Sequence, residues 1–589
     1  MRARRVLAVV AGLATVGGAA GPATGTATGT GAEDGRHGPH WEAEGKPAAA
    51  PTTPTHPLAE VTADELRFDH HTLRPGSPEE AGLLPGPVAR LGEDLRAYLG
   101  PSPTRPLYAG GVVLASRRGV VAAHEAAGHA LRYADPETEL PAGQRVPATR
   151  DTIFDLASVT KTFTTIAVLQ QVEDGRLDLD AAVASYLPAF AANGKQDVTV
   201  RHLLTHTGGL PAWLPLYSRY DTVEERLAAV LEVAPRSAPG ERYTYSDLGL
   251  ITLGLLVEEV TGRPLDEVVA AGITAPLGMR DTLFNPLEHD PALVDRIAAT
   301  EAQPWAGRTM VRGEVHDENA WSLGGVAGHA GLFSTAHDLA VLARTLLNGG
   351  RYGTDRVLET ETVRTMLADD LGFEVDERWY MDGLSTPVTF GHTGFTGTSL
   401  VVDPMSDSFV VLLTNRVHPS RDWGSNNPAR RAVARDLARA LAVRPLEGDR
   451  AWFSGIGDDR TVRLSTTAPA GARLDFGLWY DTEAGWDEVR LEASPDGGET
   501  WAPVPFDLRL GAVATPTDGT VSGFGGRRWH HASALLPAAG AGGPLALRWT
   551  YDTDGLYQGR GVYVDGVRLD GTAVDDARFD ADGWSLSAD

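Results

Sequence analysis

A serine and a lysine three residues apart, in Ser158-Val159-Thr160-Lys161, are the residues in this chain best suited to chemistry. In a helix such residues share a face, so hydroxyl and amine can come within hydrogen-bond distance. A serine is a weak nucleophile until a base takes its proton, and a lysine is a base only when burial and a helix N-terminus lower its pKa. The alternative is an exposed helix-start serine beside an unrelated surface lysine. Lysine occurs only at positions 46, 161 and 195, which favours the catalytic interpretation.

A tyrosine precedes a second predicted helix, in the segment Tyr243-Thr244-Tyr245-Ser246-Asp247. At a junction of loop and helix, the Tyr245 phenol can reach into a cleft. Beside Lys161 it can share a proton and later return it to a leaving group. The alternative is a packing tyrosine followed by a serine or aspartate helix cap.

A glycine-rich segment, Gly391-His392-Thr393-Gly394-Phe395-Thr396-Gly397, stands just before an apolar strand. Small residues at a strand start allow a substrate to approach the backbone closely. Backbone N–H groups there, together with the N–H of Ser158, could hold an oxyanion. A simple glycine-rich turn is the alternative.

In this order and at these distances, the three segments resemble motifs of the serine β-lactamase and penicillin-binding protein superfamily. The resemblance is greatest to class C β-lactamases and their esterase and D,D-peptidase relatives, and it covers residues 77–445, including Leu203–Pro211 and Gly324–Thr335. It implies that Ser158 is the acylated nucleophile, Lys161 its base and Tyr245 the proton shuttle. It also implies that the Phe395 N–H is the second oxyanion donor, and that His392, Thr393 and Gly394 contact the substrate.

Two residues depart from the β-lactamase pattern. The third motif begins with His392 where β-lactamases usually have lysine, and the second ends in Asp247 where they usually have asparagine. A histidine carries little positive charge at neutral pH and holds a substrate carboxylate less firmly. An aspartate can bond to Lys161 but tends to keep it protonated. Both changes disfavour efficient β-lactam hydrolysis and leave ester or amide hydrolysis open.

Two further segments, Val315–Trp321 and Thr414–Pro419, resemble a subgroup that includes an exported bacterial N-acetylmuramyl-L-alanine amidase. In that resemblance Arg416 is a candidate for binding a lactyl or peptide carboxylate. The residues His316, Asp317 and His329 also permit a metal cluster, but they lack a clear metal-ligand spacing. We therefore favour a hydrogen-bonded loop and expect no metal at this position.

The order of predicted elements indicates an α/β domain with an all-α insert. A helix over Pro87–Leu99 and a strand pair precede a mainly helical block over residues 151–347, and strands followed by a helix over Ala429–Leu441 come after it. The resemblance implies an antiparallel sheet flanked by helices. We expect this catalytic domain to span residues 77–445.

The C-terminal segment, residues 446–589, alternates apolar and polar residues between turns rich in Gly and Asp, which indicates an all-β sandwich. It resembles the jelly-roll-like domain appended to immune-inhibitor-type secreted metalloproteases. The resemblance rests on Tyr480–Asp487, Ser494–Trp501, Asp552–Gly555 and Val564–Val567. Acidic loops of this kind can ligate structural calcium, although most Asp-Gly pairs are only turns. Its tryptophans are typical of a sandwich core, and cell-wall glycan binding is the alternative.

Composition limits the partners and the compartment. The 589 residues carry a net charge of −26, which disfavours nucleic acid, and the absence of Cys excludes thiol nucleophiles and Cys-ligated zinc. Residues 1–30 show the arginines, short apolar run and small residues of a signal peptide, by a Sec or twin-arginine route. Residues 31–76 are predicted to be a flexible linker. We expect a secreted protein, associated with the cell wall or free, with no transmembrane segment in the mature chain.

These observations predict an exported serine hydrolase that forms an acyl-enzyme on an amide or ester and needs no cofactor for the chemistry. The expected substrate is a cell-wall muropeptide or a small ester. A D,D-carboxypeptidase or weak β-lactamase is one alternative. A non-catalytic peptidoglycan-binding or glycan-binding protein is another, although an intact Ser158, Lys161 and Tyr245 argue against it.

Overall fold

The computed structural model describes residues 61–101, 105–538 and 543–589. The predicted signal peptide, residues 1–30, and most of the predicted linker lie outside the described residues. Within the described part of the chain, no helix is long and apolar enough to cross a membrane.

A largely antiparallel sheet forms the centre of the N-terminal part of the chain. Its strands lie in the order β1-β3-β2-β7-β6-β5-β4, where β1 runs parallel to β3 and the other pairs in this order are antiparallel. The strands are β1 (Arg74–Pro75), β2 (Gly110–Arg117), β3 (Val120–Leu131), β4 (Glu374–Val375), β5 (Phe390–Thr393), β6 (Ser399–Asp403) and β7 (Ser408–Thr414).

Helices cover both faces of this sheet, as the sequence predicts. The principal helices are α1 (Pro85–Ala97), α2 (Thr160–Glu173), α3 (Val223–Glu232), α4 (Asp247–Thr261), α5 (Ala336–Leu347), α6 (Thr360–Ala368) and α7 (Asn427–Ala440). Because successive strand residues point to opposite faces, Val113 and Ala115 join a core with α1 and α7, while Val112 and Leu114 join the larger core of α2, α4 and α5. The strands are therefore apolar on both faces.

Helices α2 to α6 lie between β3 and β4 in the sequence, so the predicted helical insert in a sheet domain is confirmed. Helix α4 is buried on every side over most of its length. It begins where the Ser246 side chain accepts a hydrogen bond from the Gly249 N–H, and it ends at Gly262 in a left-handed conformation.

Shorter elements connect the principal ones. The short helices are Val200–Leu204, Leu216–Arg219, Leu265–Val269, Pro286–His289, Glu318–Ser322 and Arg378–Met381. The short strands are Tyr133–Asp135, Thr138–Glu139, Val146–Pro147, Phe154–Asp155, Leu283–Phe284, Ala302–Gln303, Arg308–Met310, Leu332–Ser334, Arg351–Tyr352 and Asp355–Arg356.

The C-terminal part of the chain forms two sheets, which confirms the predicted all-β sandwich. One sheet has the order β14-β13-β16-β10-β18-β8-β21, with β19 beside β18; the other has the order β12-β11-β17-β9-β20, with β15 beside β11. A core that includes Phe476, Leu491, Leu547 and Trp549 lies between them. The strands are β8 (Ala451–Phe453), β9 (Thr461–Ala468), β10 (Arg473–Asp481), β11 (Glu488–Ser494), β12 (Ala502–Pro503), β13 (Asp507–Leu510), β14 (Val513–Pro516), β15 (Thr520–Ser522), β16 (His530–Leu535), β17 (Leu545–Asp552), β18 (Gly561–Leu569), β19 (Thr572–Ala573), β20 (Asp580–Asp582) and β21 (Ser585–Ser587).

The prediction of a flexible linker over residues 31–76 is wrong for residues 61–76. Ala63 and Leu66 are buried in the larger core, and the Arg364 guanidinium donates to the carbonyl groups of both. Strand β1 pairs with β3. The composition predicted a linker, but Ala63 and Leu66 are held in place by contacts with a distant part of the chain, which composition does not reveal.

Buried ion pairs join the sandwich to the sheet domain. Arg527 of the sandwich lies 2.7 Å from Asp403 at the end of β6 and 3.4 Å from Asp481. It also donates to the Leu384 carbonyl at 3.0 Å. Asp403 in turn accepts a hydrogen bond from the Thr389 hydroxyl, directly before β5. The sandwich is therefore connected by hydrogen bonds to the strand that carries the third motif.

We predict that Arg527→Ala lowers the free energy of unfolding by about 3 kcal/mol, because it leaves the buried Asp403 carboxylate without its cation. Urea unfolding followed by tryptophan fluorescence measures this loss. Arg473→Ala is the matched control, since Arg473 pairs with Asp475 at an exposed site where solvent screens the pair and little change in the free energy of unfolding is expected. Equal losses in the two variants would contradict a stabilising role for the junction.

Candidate active site

A strained turn presents Ser158 at the start of α2. The chain leaves the strand Phe154–Asp155, and Ala157 adopts a positive φ of 46°, which is uncommon outside glycine. The Ala157 N–H donates to the Asp155 carboxylate at 2.8 Å, and the other carboxylate oxygen accepts the His316 N–H at 2.6 Å. Asp155 thus fixes the turn, as strained backbone at a functional site requires support from its surroundings.

The Lys161 ammonium group lies in the middle of the site with no exposure of its side chain. Its Nζ lies 2.8 Å from the Ser158 hydroxyl oxygen, 2.9 Å from an Asp247 carboxylate oxygen and 3.2 Å from the His329 carbonyl oxygen. The structure therefore brings together the serine and the lysine that the sequence predicts. It also makes Asp247 the direct partner of the lysine.

Tyr245 completes the group around Ser158. Its ring centroid lies 4.8 Å from the Lys161 Nζ, and its hydroxyl is hydrogen-bonded to Ser158. Burial raises the pKa of Tyr245 well above its usual value and the charge of Asp247 raises it further, while the bond to Ser158 acts in the opposite direction. The phenol is therefore strongly biased toward its protonated form.

His206 orients Tyr245, a role that the sequence did not reveal. The two rings stack with centroids 4.5 Å apart, and the His206 Nδ1 accepts the Ser246 N–H at 3.0 Å. That acceptor role leaves the proton of a neutral imidazole on Nε2. The segment Leu203–Pro211 contained this histidine, but its spacing from Tyr245 in the sequence carried no signal of contact.

The third motif lies against the turn that precedes Ser158. The Thr396 hydroxyl donates to the Asp155 carbonyl at 2.7 Å, and the Thr398 hydroxyl donates to the Leu156 carbonyl at 3.0 Å. A Cβ atom at Gly394 would lie 2.3 Å from the Leu156 carbonyl oxygen, so this close approach requires glycine. These contacts place the Phe395 backbone beside the Ser158 turn, where the sequence predicts an oxyanion hole.

His392 faces the site as a neutral ring. Burial, reinforced by the charge of Lys161, lowers the pKa of His392 to about 3. Its Nδ1 donates to the Thr393 carbonyl at 2.8 Å, and its ring centroid lies 6.2 Å from that of Tyr245. His392 therefore does not supply the positive charge that a lysine would supply at this position.

Positive charge beside the third motif comes from arginines. The Arg416 guanidinium carbon lies 5.0 Å from the Phe395 ring centroid, and that of Arg421 lies 5.4 Å from it. Arg421 also lies 2.7 Å from the buried carboxylate of Glu301. Burial opposes ionisation of Glu301, but the hydrogen bond and charge of His316, together with Arg421, outweigh it and lower its pKa to about 2. No sequence motif marks Glu301 or Arg421 as part of the site.

The three residues considered as a metal cluster do not form one. His316 bonds to Glu301 at 2.8 Å, whereas His329 bonds to Asp317 at 2.9 Å. Asp317 and His329 do come within 4.8 Å of Asp247 by their ligand atoms. The Lys161 ammonium lies 2.9 Å from Asp247 in this group.

Two further groups of possible metal ligands occur in the described residues. One consists of Asp69, His71 and Asp407, where Asp407 already pairs with the buried Arg344. The other consists of Glu483, Asp487 and Asp554 in the sandwich, among the acidic loops that the sequence singles out for calcium. Only carboxylates form this last group, and oxygen ligands are those that calcium prefers.

Comparison with known sequences agrees with this geometry. The family model for β-lactamase matches residues 96–435, more than half of the chain. The chain belongs to the β-lactamase family. It is a serine hydrolase of that family. A second family model, that of the immune inhibitor A-like MAM domain, matches residues 422–587.

Named relatives and solved structures are similar to part of this β-lactamase family member. The protein named "Putative D-alanyl-D-alanine carboxypeptidase" of Escherichia coli (strain K12) is 38% identical over 324 residues, which cover 48% of this chain and 74% of that protein. A protein of the same name from Salmonella schwarzengrund is 36% identical, and the match covers 49% of this chain and 75% of that protein.

Two solved structures are also similar to this chain. A hydrolase with promiscuous acyltransferase activity, EstCE1, is 24% identical; the match covers 61% of this chain and 99% of that one, with a TM-score of 0.47. A penicillin-binding protein homologue from Caulobacter crescentus is 22% identical, with 61% and 99% coverage and a TM-score of 0.46.

We predict that Asp247→Asn moves the alkaline limb of the pH profile of kcat/KM to lower pH. Tyr245 must be protonated to give its proton to the leaving group, so activity falls as the pH rises through its pKa. The change removes a negative charge that raises this pKa, and the amide keeps an oxygen to accept a bond from Lys161. Hydrolysis of an alkyl ester from pH 6 to pH 11, followed by titration of the released acid, measures the shift. Asp355→Asn, at an exposed site, should leave the limb in place. A shift to higher pH in Asp247→Asn would contradict this assignment.

Proposed function

We propose that this enzyme hydrolyses a bond of a cell-wall muropeptide through an acyl-enzyme at Ser158, and that the first candidate is the bond before a terminal D-alanine. The observation that carries the proposal is the 2.8 Å contact between Lys161 Nζ and the Ser158 hydroxyl, completed by Tyr245. The names of the relatives support the choice of substrate.

The proposed cycle uses only groups of the chain, substrate and water. Once the Lys161 ammonium has lost one proton to solvent, the Ser158 oxygen attacks the scissile carbonyl and its proton passes to the neutral Lys161 amine. The Ser158 and Phe395 N–H groups hold the oxyanion. As the C–N bond breaks, Tyr245 gives a proton to the leaving amine and recovers one from Lys161. Water then attacks the ester by the same proton path, releasing the acid and restoring Ser158.

A carboxylate of the substrate would be bound by Arg416 and Thr393 in this proposal, because the neutral His392 offers no charge. The same neutrality favours a second candidate. The amide between N-acetylmuramic acid and L-alanine has no free carboxylate next to the scissile bond, so its hydrolysis does not need a cation at position 392. The muramyl amidase activity is therefore the second candidate function.

We predict that Ser158→Ala lowers kcat/KM by about 10³-fold or more, because no acyl-enzyme can form. A peptide ending in D-Ala-D-Ala and a muramyl-L-alanine peptide are incubated separately, and mass spectrometry identifies each product. Ser218→Ala is the matched control at an exposed serine.

The products separate the candidates. Release of D-alanine supports the carboxypeptidase, and release of free muramic acid supports the amidase. If neither substrate is cleaved, or if Ser158→Ala cleaves them as the parent does, the proposal is overturned. A protein that binds both without turnover would be the glycan-binding alternative.

We also propose export and a calcium ion in the sandwich. Export is supported by the arginines and the short apolar run at the N-terminus. The calcium proposal is supported by two buried oxygen atoms in or beside the group of carboxylates. The buried Glu483 Oε2 and the Gln558 amide oxygen have no hydrogen-bond partner among the described residues. Gln558 is 2% exposed, and its amide nitrogen donates to Asp458, whose charge acts on Glu483.

Calcium should stabilise the protein more at pH 8 than at pH 5. Burial, with nearby carboxylates, raises the pKa of Glu483 to about 7 and that of Asp487 to about 6. Without a cation, the folded state thus binds more protons than the unfolded state, so stability falls as pH rises toward 7. Saturating Ca²⁺ should raise the Tm by about 5 °C at pH 8.

Differential scanning calorimetry with and without Ca²⁺ tests this proposal. Glu483→Gln should lose most of the calcium-dependent increase at pH 8, and the exposed Glu499→Gln should retain it. An identical Tm with Ca²⁺ and with a chelator at pH 8 would overturn the proposal.

A further inference from the structure

Two exposed tryptophans flank one carboxylate beside the active site. Trp305 and Trp321 are each 37% exposed, although large aromatic side chains are usually buried. The Trp305 indole N–H donates to the Glu318 carboxylate at 3.0 Å. Glu318 and Trp321 are three residues apart on the short helix Glu318–Ser322, and therefore share a face of it. We call Trp305, Glu318 and Trp321 the indole patch.

The rings of the indole patch are held in place from one side. The guanidinium carbon of Arg421 lies 5.0 Å from the Trp305 ring centroid, and that of Arg308 lies 4.7 Å from the Trp321 ring centroid. Arg308 is itself fixed by bonds to the carbonyls of Val315 and His316. Such support reduces the entropy lost when a ligand stacks on an exposed ring.

Short contacts connect the indole patch to the reacting groups. Arg421 contacts both Trp305 and Phe395, whose N–H is the proposed oxyanion donor. On the other side, Asp317, next to Glu318 in the chain, bonds to His329, and the His329 carbonyl accepts a bond from Lys161. The indole patch is therefore linked to Phe395 through a single side chain, that of Arg421, and to Lys161 through Asp317 and His329.

The chemistry of the indole patch suits a neutral sugar ring. A pyranose has an apolar C–H face that stacks on an indole and hydroxyl groups that bond to polar neighbours, and tryptophan serves where one side is apolar and the other wet. The Glu318 carboxylate is ion-paired with Arg421 at 2.6 Å, so its negative charge is compensated while its oxygens remain hydrogen-bond acceptors. A charged ligand gains little from such a site.

We propose that the indole patch binds a pyranose of the glycan to which the substrate peptide is attached. The enzyme then selects glycan-linked muropeptides over free stem peptides. This inference rests on the proposed function, because it assumes that the scissile bond belongs to a cell-wall peptide.

Two substrates with the same scissile bond test the inference. One is a free pentapeptide ending in D-Ala-D-Ala, and the other is the same peptide linked to the disaccharide of N-acetylglucosamine and N-acetylmuramic acid. We expect kcat/KM to be about tenfold higher for the linked peptide, through a lower KM. Trp305→Ala and Trp321→Ala should each lower the ratio of kcat/KM for the linked peptide to kcat/KM for the free peptide, and Trp305→Phe should lower it less. Trp486→Ala, at an exposed tryptophan of the sandwich, should not change it.

Binding to the Ser158→Ala variant, measured by calorimetry, gives a readout that does not need turnover. The linked peptide should bind about tenfold more tightly than the free peptide, and Trp305→Ala added to this variant should remove most of the difference. A thermal melt of each variant shows that it is folded.

The outcomes distinguish this inference from the proposed function. Release of D-alanine from both peptides at equal kcat/KM, with equal Kd values, overturns sugar binding and leaves the peptidase intact. A Trp305→Ala variant that weakens both peptides equally also overturns it, since the patch would then bind the peptide. If neither peptide is cleaved, the peptidase proposal fails, and the ratio of Kd values alone decides the role of the patch.

Discussion

The ammonium group of Lys161 is the constraint on which the site depends. It has no access to water, and a buried charge is costly unless oxygens surround it. Three separate parts of the chain supply those oxygens, namely the Ser158 turn, Asp247 at the start of α4 and the His329 carbonyl. The helical insert and the sheet domain must therefore come together around this one group. The same contacts that stabilise this group also hold it against the Ser158 hydroxyl.

A second set of contacts holds the backbone around the nucleophile. One carboxylate, that of Asp155, bonds to the strained Ala157 N–H and to the His316 N–H. The Thr396 hydroxyl binds the carbonyl of the same Asp155. The nucleophile turn, the third motif and the loop that leads to Glu318 are thus parts of one bonded unit. This arrangement explains how a surface patch on the loop can be positioned accurately relative to Ser158.

The sandwich contributes to this unit instead of lying beside it. Arg527 crosses the junction to Asp403, and Asp403 holds Thr389 immediately before β5. Arg378 on the sheet side reaches Asp481 on the sandwich side at 3.3 Å. Buried ion pairs of this kind contribute little net stability compared with apolar packing, but removal of one partner is strongly destabilising because the other charge is then buried without compensation.

Local sequence determined the part of the site that depends on local spacing. Ser158 and Lys161 are in contact because they are three positions apart at the start of one helix, and the burial of Lys161 follows from the apolar character of that helix. The alternation of apolar residues after position 446 likewise specified the sandwich. The replacements at His392 and Asp247 were visible in the sequence, and the structure shows a neutral His392 ring and an Asp247 carboxylate oxygen 2.9 Å from the Lys161 Nζ.

Tertiary structure alone decided the contacts between distant residues. Glu301 is hydrogen-bonded to His316 and ion-paired with Arg421, and His206 stacks on Tyr245. Ala63 is buried in the larger core, although the composition around it predicted a linker. No periodicity links such positions, because their proximity results from packing of whole elements and not from the geometry of one helix or strand. The sequence by itself therefore determined the serine–lysine pair and the two fold types, whereas the charge balance around that pair depended on which distant side chains the packed elements brought together.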